Sequence, residues 1–204
     1  MLDHAFMTTV ETLRRSMADA LLDRDAGDER LQMDILGGDL SWESSCTLPG
    51  EVHPARVRAD ITLDWPTWSQ TSFRAWQIDG ELEEPPELLI EVALRLQTLA
   101  RAPDLAVIGA ALDAEGPELG GETLRRCAPH VEQNFDSDLE ALGWIVEFAY
   151  DGAFEFTEPI LADPSGIATA FAGFGPWLAS ILVRLGDLHL AFVPPDEADP
   201  QFGR

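Results

Sequence analysis

The stretch Arg56 to Leu63 constrains the fold most, because Val57, Ala59, Ile61 and Leu63 alternate there with Arg56, Arg58, Asp60 and Thr62. Side chains on a strand alternate between two faces, so this pattern gives one apolar face and one charged face. Such a strand needs hydrogen-bonded neighbours and a layer covering its apolar side. Trp65-Pro66 terminates it, since proline cannot continue a ladder.

A covering helix is also legible. Leu2, Phe6, Val10, Leu13, Met17 and Leu21 recur at spacings of four and three, which predicts an amphipathic helix over residues 3–24 with Gly27 as its stop. Leu31 to Leu36 and Leu40 to Leu48 are short runs around a hairpin-type break at Gly37-Gly38, and Pro49-Gly50 ends the second. Ser72 to Ile78 reads as another strand, closed by Asp79-Gly80. Pro85-Pro86, Glu87 and the stripe Leu89, Val92, Leu96 and Leu99 then predict a central helix ending at Ala102-Pro103, with Glu91 and Arg95 paired on its outer face.

Residues 103–121 hold a buried-looking run, Leu105 to Leu112, and then the Gly/Pro/Glu-rich stretch Glu115 to Gly121, which reads as a linker or long loop. It divides the chain into residues 1–102, a helix, antiparallel strands and a helix, and residues 122–204, a smaller unit of helix, hairpin, helix and strand. The two stand as separate units or as one continuous domain. In the second part, short helices are expected over residues 122–128 and 137–142. Trp144, Val146, Phe148 and Tyr150 alternate, Asp151-Gly152 reads as a type I′ turn, and Phe154 and Phe156 resume the alternation. Asp163-Pro164-Ser165 opens a helical stretch to Leu185 with a kink near Pro176, Leu188 to Val193 reads as a last strand, and residues 194–204 as a frayed end. The class is therefore α+β, with an antiparallel sheet or sheets packed against N-terminal, central and C-terminal helices. Ser72 to Arg101 loosely echoes Phe154 to Arg184, as a degenerate duplication would leave it.

Charge narrows the choice of partner. The 37 acidic and 13 basic residues give a net charge of -24, and every basic residue is Arg. A surface of one sign repels nucleic acid and anionic membranes and attracts basic proteins over about 8 Å at physiological salt. Without Lys there is no P-loop lysine, which excludes nucleotide hydrolysis of that kind. The most apolar window, Ile167 to Leu185, is broken by Gly173, Gly175 and Pro176. The start lacks the basic and apolar regions of a signal peptide, and Cys46 and Cys127 make no disulfide framework, so a reduced, cytoplasmic setting is expected.

No arrangement of catalytic or cofactor-binding residues stands out. His4, His53, His130 and His189 are scattered; Cys127, His130 and Glu132 come nearest to a ligand cluster, but Pro129 interrupts the helix that would hold them together. Ser44-Ser45-Cys46 is no nucleophile elbow, and Cys46 with His53 defines no triad. No metal, cofactor or enzymatic activity is expected. Trp65 and Trp68 lie in the polar stretch Asp64 to Thr71 and read as exposed, whereas Trp76, Trp144 and Trp177 sit in periodic elements and read as core. With Asp64, Asp79, Glu81, Glu83 and Glu84 they form the candidate binding site, aromatic anchors within a charged rim. The competing reading packs both Trp at the sheet edge and leaves the acids to solvate the surface.

These features point to a non-enzymatic module that neutralises or chaperones a basic protein partner, in the manner of an immunity protein, an antitoxin or a secretion chaperone. The order helix, antiparallel strands, helix, strands, helix, together with the acidity, resembles the small acidic chaperones of bacterial type III secretion. The alternatives are an enzyme whose carboxylate or Cys/His site forms only on folding, and a subunit of a larger complex. Self-association as a homodimer is compatible with each.

Overall fold

The alternation at Arg56 to Leu63 forms a strand whose apolar residues are all buried, and the sheet grows outward from it on both sides. The computed structural model describes residues 2–21, 29–33, 38–48, 55–80, 84–135, 141–163 and 165–194. The expected breaks at Gly27, Gly37 and Pro49-Gly50, residues 137–140 of the short helix expected over 137–142, the end from Pro195, and His53, Glu81 and Glu83 lie outside the described residues, while residues 141–142 of that expected helix are strand.

Helix α1 (Leu2–Leu21) precedes strands β1 (Glu29–Met33), β2 (Leu40–Thr47) and β3 (Val57–Trp65). Helix α2 (Thr67–Asp79), β4 (Glu87–Leu99) and α3 (Leu105–Ala110) follow, then β5 (Glu115–Leu119), β6 (Glu122–Arg126), β7 (His130–Phe135) and β8 (Ala141–Glu155). The chain closes with α4 (Glu158–Ala162), α5 (Ser165–Phe171) and α6 (Phe174–Gly186). The described strands form one eight-stranded antiparallel sheet in the order β1-β2-β3-β4-β8-β6-β5, with β7 paired to β8 beyond the end of β6. The α+β class is as the sequence predicts. The 103–121 segment supplies α3 and β5, so one sheet takes strands from both sides of the expected linker.

One face of the sheet carries the core. Val57, Ala59, Ile61, Leu63 and Trp65 of β3 are continued by Leu88, Ile90, Val92, Leu94 and Leu96 of β4 and by Val146, Phe148, Tyr150 and Phe154 of β8. The expected stripe of α1 covers it, with Phe6, Val10, Leu13 and Met17 buried. The apolar stretch Ser165–Gly186, long enough by composition alone to cross a membrane, breaks into α5 and α6 and buries Ile167, Phe171, Phe174, Leu178 and Leu182 beside α1. The break falls at Ala172-Gly173, just ahead of Pro176, which sits in the first turn of α6 where its missing N–H costs nothing.

Several local readings are overturned by pairing. The expected strand Ser72 to Ile78 is part of α2: Ser69, Phe73 and Trp76 share its inner side, Asp39 accepts from Thr67 N at 2.6 Å, and Gly80 closes it at φ +73° with its N–H on Trp76 O. The expected helix Pro85 to Ala102 is β4, because its apolar run also fits a period of two and two strands flank it. Residues 122–126 are a strand, β6, rather than a helix. Asp151-Gly152 is no turn; it lies inside β8, where Asp151 pairs with both Glu91 and Arg125. A Cβ on Gly152 would lie 2.9 Å from Leu124 Cδ2, so the glycine allows close packing rather than a reversal. Leu188 to Val193 makes only a bridge from Phe192 to Leu99, and α3 buries Ile108 while Leu105 and Val107 are exposed. Ser72 to Arg101 runs helix then strand and Phe154 to Arg184 runs strand then helices, so the echo between them dissolves.

Candidate protein-binding surfaces

The outer face of the sheet is charged, and the register decides which charges meet. Ser45 lies opposite Asp60, while Arg58, Arg95 and Glu147 form a neighbouring row across β3, β4 and β8. Asp60 Oδ1 accepts from Ser45 Oγ at 2.6 Å and from Arg58 Nε at 2.5 Å, and Arg58 Nη2 donates to Ser45 Oγ at 2.8 Å. Arg95 donates from Nε to Glu147 Oε2 at 2.6 Å and holds Nη1 3.2 Å from Asp60 Oδ2, an ion pair without hydrogen-bond alignment. Burial works to loosen the proton of Arg95, but Glu147 and Asp60 outweigh it and hold the guanidinium above its ordinary range. Half-exposed as it is, each pair contributes about 0.5 kcal/mol, so the row acts as a cross-strand clamp rather than a reactive centre.

Farther along the strands the same face sinks into a hollow of about 520 Å³. Asp64, Glu91, Glu122 and Asp151 stand around it with Arg125, and Leu89, Gly152 and Ala153 also line it. Near its end of the sheet, burial and the charges of Glu155, Glu122 and Glu84 hold the Glu87 carboxyl above the usual carboxylate range, so the negative potential there is incompletely neutralised.

The expected site divides. Trp65 is fully buried: it stacks on Phe156 at 5.2 Å, meets Phe73 edge-on at 5.3 Å, and donates from Nε1 to Ser69 Oγ at 2.9 Å. The alternation runs two residues beyond Leu63, which turns Asp64 outward and Trp65 into the core. Trp65 is therefore no surface anchor, and Asp64 borders the hollow. Trp68 is 51% exposed on α2, Asp79 ends that helix and Glu84 is exposed. Sequence reasoning missed Ile78, 82% exposed on the same helix. At 100° per residue, Trp68, Ala75 and Ile78 lie within about 80° of the α2 circumference, so they share one outward side. That periodicity would have revealed them had residues 72–78 been read as helix.

The other considered clusters do not assemble. Cys46 is buried, and Cys127 is not joined to His130 and Glu132, whose exposed side chains lie 3.7 Å apart. Burial, then Asp151, pushes the Cys127 thiol up and away from the reactive thiolate. Among the described residues no group of three or more His, Cys, Asp or Glu is arranged to hold a metal ion. On the helix side, Arg184 grips Asp113 through two hydrogen bonds of 2.9 and 2.7 Å, and Tyr150 Oη donates to Asp113 O at 2.6 Å, tying α6 and β8 to the turn after α3. Compared with protein-family models, curated proteins and solved structures, the chain gives no match.

Proposed function

We propose that this chain is an acidic, non-enzymatic binding protein that neutralises or chaperones a basic protein partner, with the outer side of α2 as its anchor. The observation that carries this reading is the pair Trp68 and Ile78, exposed together on one side of a helix in a chain of net charge -24. A large aromatic and a β-branched side chain supply apolar area that becomes useful once a partner excludes water, while surrounding charge accelerates encounter and selects the partner's sign. Asp64 and Glu84, with Asp79 at the end of α2, supply charge before and after the helix. An immunity-type, antitoxin-type or secretion-chaperone role would use the same electrostatics.

The test is a double substitution, Trp68→Ala with Ile78→Ala, assayed against the basic partner recovered by affinity purification at low salt. Trp68 is half exposed and Ile78 almost wholly so, and neither belongs to the buried core, so the melting temperature should hold. Affinity should fall at least about tenfold, as for removal of an interface anchor. Undiminished affinity would contradict the reading.

A further inference from the structure

The hollow on the outer face of the sheet sits where the strand register sets like charges against each other. Arg95 meets Glu147 across β4 and β8, but on the same two strands Glu91 lies opposite Asp151 and Glu87 opposite Glu155. Like charges directly opposite destabilise a sheet. Leu89 and Ala153 pair between these two rows, and Leu89 is 41% exposed although it stands on a central strand. Asp64 faces Leu89 from β3, and Arg125 faces Asp151 from β6. With Glu122 these residues line a volume of about 520 Å³, within the roughly 300–1,000 Å³ usual for ligand pockets. Among the described residues Asp64, Glu91, Glu122, Asp151 and Arg125 form no ion pair, whereas Asp60 and Glu147 of the cross-strand clamp each hold an Arg. The carboxylates outnumber the guanidinium, so the hollow stays negative.

That sign and shape say what enters. Among the described residues no carboxylates are grouped to hold a metal ion, and a second copy of a chain of net charge -24 would bring like charge. An Arg or Lys side chain suits both parts of the hollow, its cationic head among the carboxylates and its methylene stem on Leu89 and Ala153. We infer that the hollow receives a short basic segment of the partner protein, held by Asp64, Glu91, Glu122 and Asp151 around Leu89. The bound cation offsets the repulsion between Glu91 and Asp151, so stability given up in the free sheet is recovered in the complex. This inference rests on the proposed binding of a basic protein and places the partner's charge on the sheet, on different elements from the apolar anchor of α2.

The full chain is titrated at about 0.15 M salt with an end-blocked peptide of about six residues alternating Arg with Val, and with spermidine as a free polycation. The native chain is compared with Glu91→Gln/Glu122→Gln, with Trp68→Ala/Ile78→Ala, and with Glu11→Gln/Asp19→Asn, which removes the same charge from exposed positions on α1. The peptide should bind the native chain, the α1 variant and the α2 variant within about twofold of one another, and the hollow variant at least about tenfold more weakly. The hollow variant should melt at or above the native temperature, since Glu91 no longer opposes Asp151. A loss in the hollow variant no greater than in the α1 or α2 variant, a melting temperature below native, no binding of the peptide, or spermidine binding as tightly as the peptide overturns the inference. The reading of the chain as a basic-partner binder is decided separately, by the affinity of Trp68→Ala/Ile78→Ala for the partner itself.

Discussion

Trp65 and Trp68 lie three positions apart, yet one is wrapped by Phe6, Phe73 and Phe156 and the other stands half in solvent. Substitution should separate them: Trp65→Ala should cost about 3–5 kcal/mol by opening a cavity in the aromatic cluster. Trp68→Ala should stay within about 0.5 kcal/mol, as denaturant unfolding would register. Asp113 makes a pH-dependent prediction. The hydrogen bonds from Arg184, foremost among its influences, hold its carboxyl below the usual range despite some burial. A folded value below the unfolded one, about 3.9, means the contribution is fully present above that pH and is lost as pH falls through the folded value. Both side chains are more than a third exposed, so Asp113→Asn should cost only about 0.5–1 kcal/mol at pH 7. That difference should shrink below about pH 4 in urea titrations; a constant difference down to pH 2 would show that the charge is irrelevant.

The elements read correctly from the sequence are those whose pattern is local and one-sided. In α1 and β3 a single period has a single apolar face, so neither needed a neighbour to be recognised. β4 and β8 lie inside the sheet, and their readings failed where only pairing decides. The run Leu88 to Leu96 fits both periods until β3 and β8 flank it, and Asp151-Gly152 has a turn's composition but strands on both sides. α2 owes its start to Asp39, from the chain before β2, a partner that no short window contains. The same dependence hid the hollow, since Asp64, Glu91, Glu122 and Asp151 meet only through register. Trp68 was legible because its polar surroundings in sequence match its exposure in space. Close helix packing supplies an element-scale prediction. Gly175 N donates to Ser16 Oγ at 3.1 Å, and Ser16 Oγ donates to Phe171 O at 3.0 Å, so α1 and α6 meet almost backbone to backbone. A Cβ on Gly175 would lie 2.0 Å from Ser16 O. Gly175→Ala should therefore force the helices apart and cost about 1–3 kcal/mol, lowering the melting temperature; an unchanged value would show that α1 and α6 do not approach so closely.

At the scale of the whole molecule, one layer of helices covers one face of the sheet and leaves charge on the other, while Trp68 and Ile78 stand together on the outward side of α2. The net charge of -24 acts over all of them, and its effect on binding should be kinetic. Long-range attraction speeds encounter and is screened by salt, whereas local apolar contact governs how long the complex lasts. The measurement that tests this most directly is the rate of association and dissociation of the proposed basic partner, for the native chain and for Trp68→Ala/Ile78→Ala, at low and high salt. The account predicts that association slows at least about tenfold between roughly 20 and 300 mM salt for both chains, and that the variant dissociates at least about tenfold faster than the native chain at either salt. Association independent of salt, together with equal dissociation of the two chains, would contradict it.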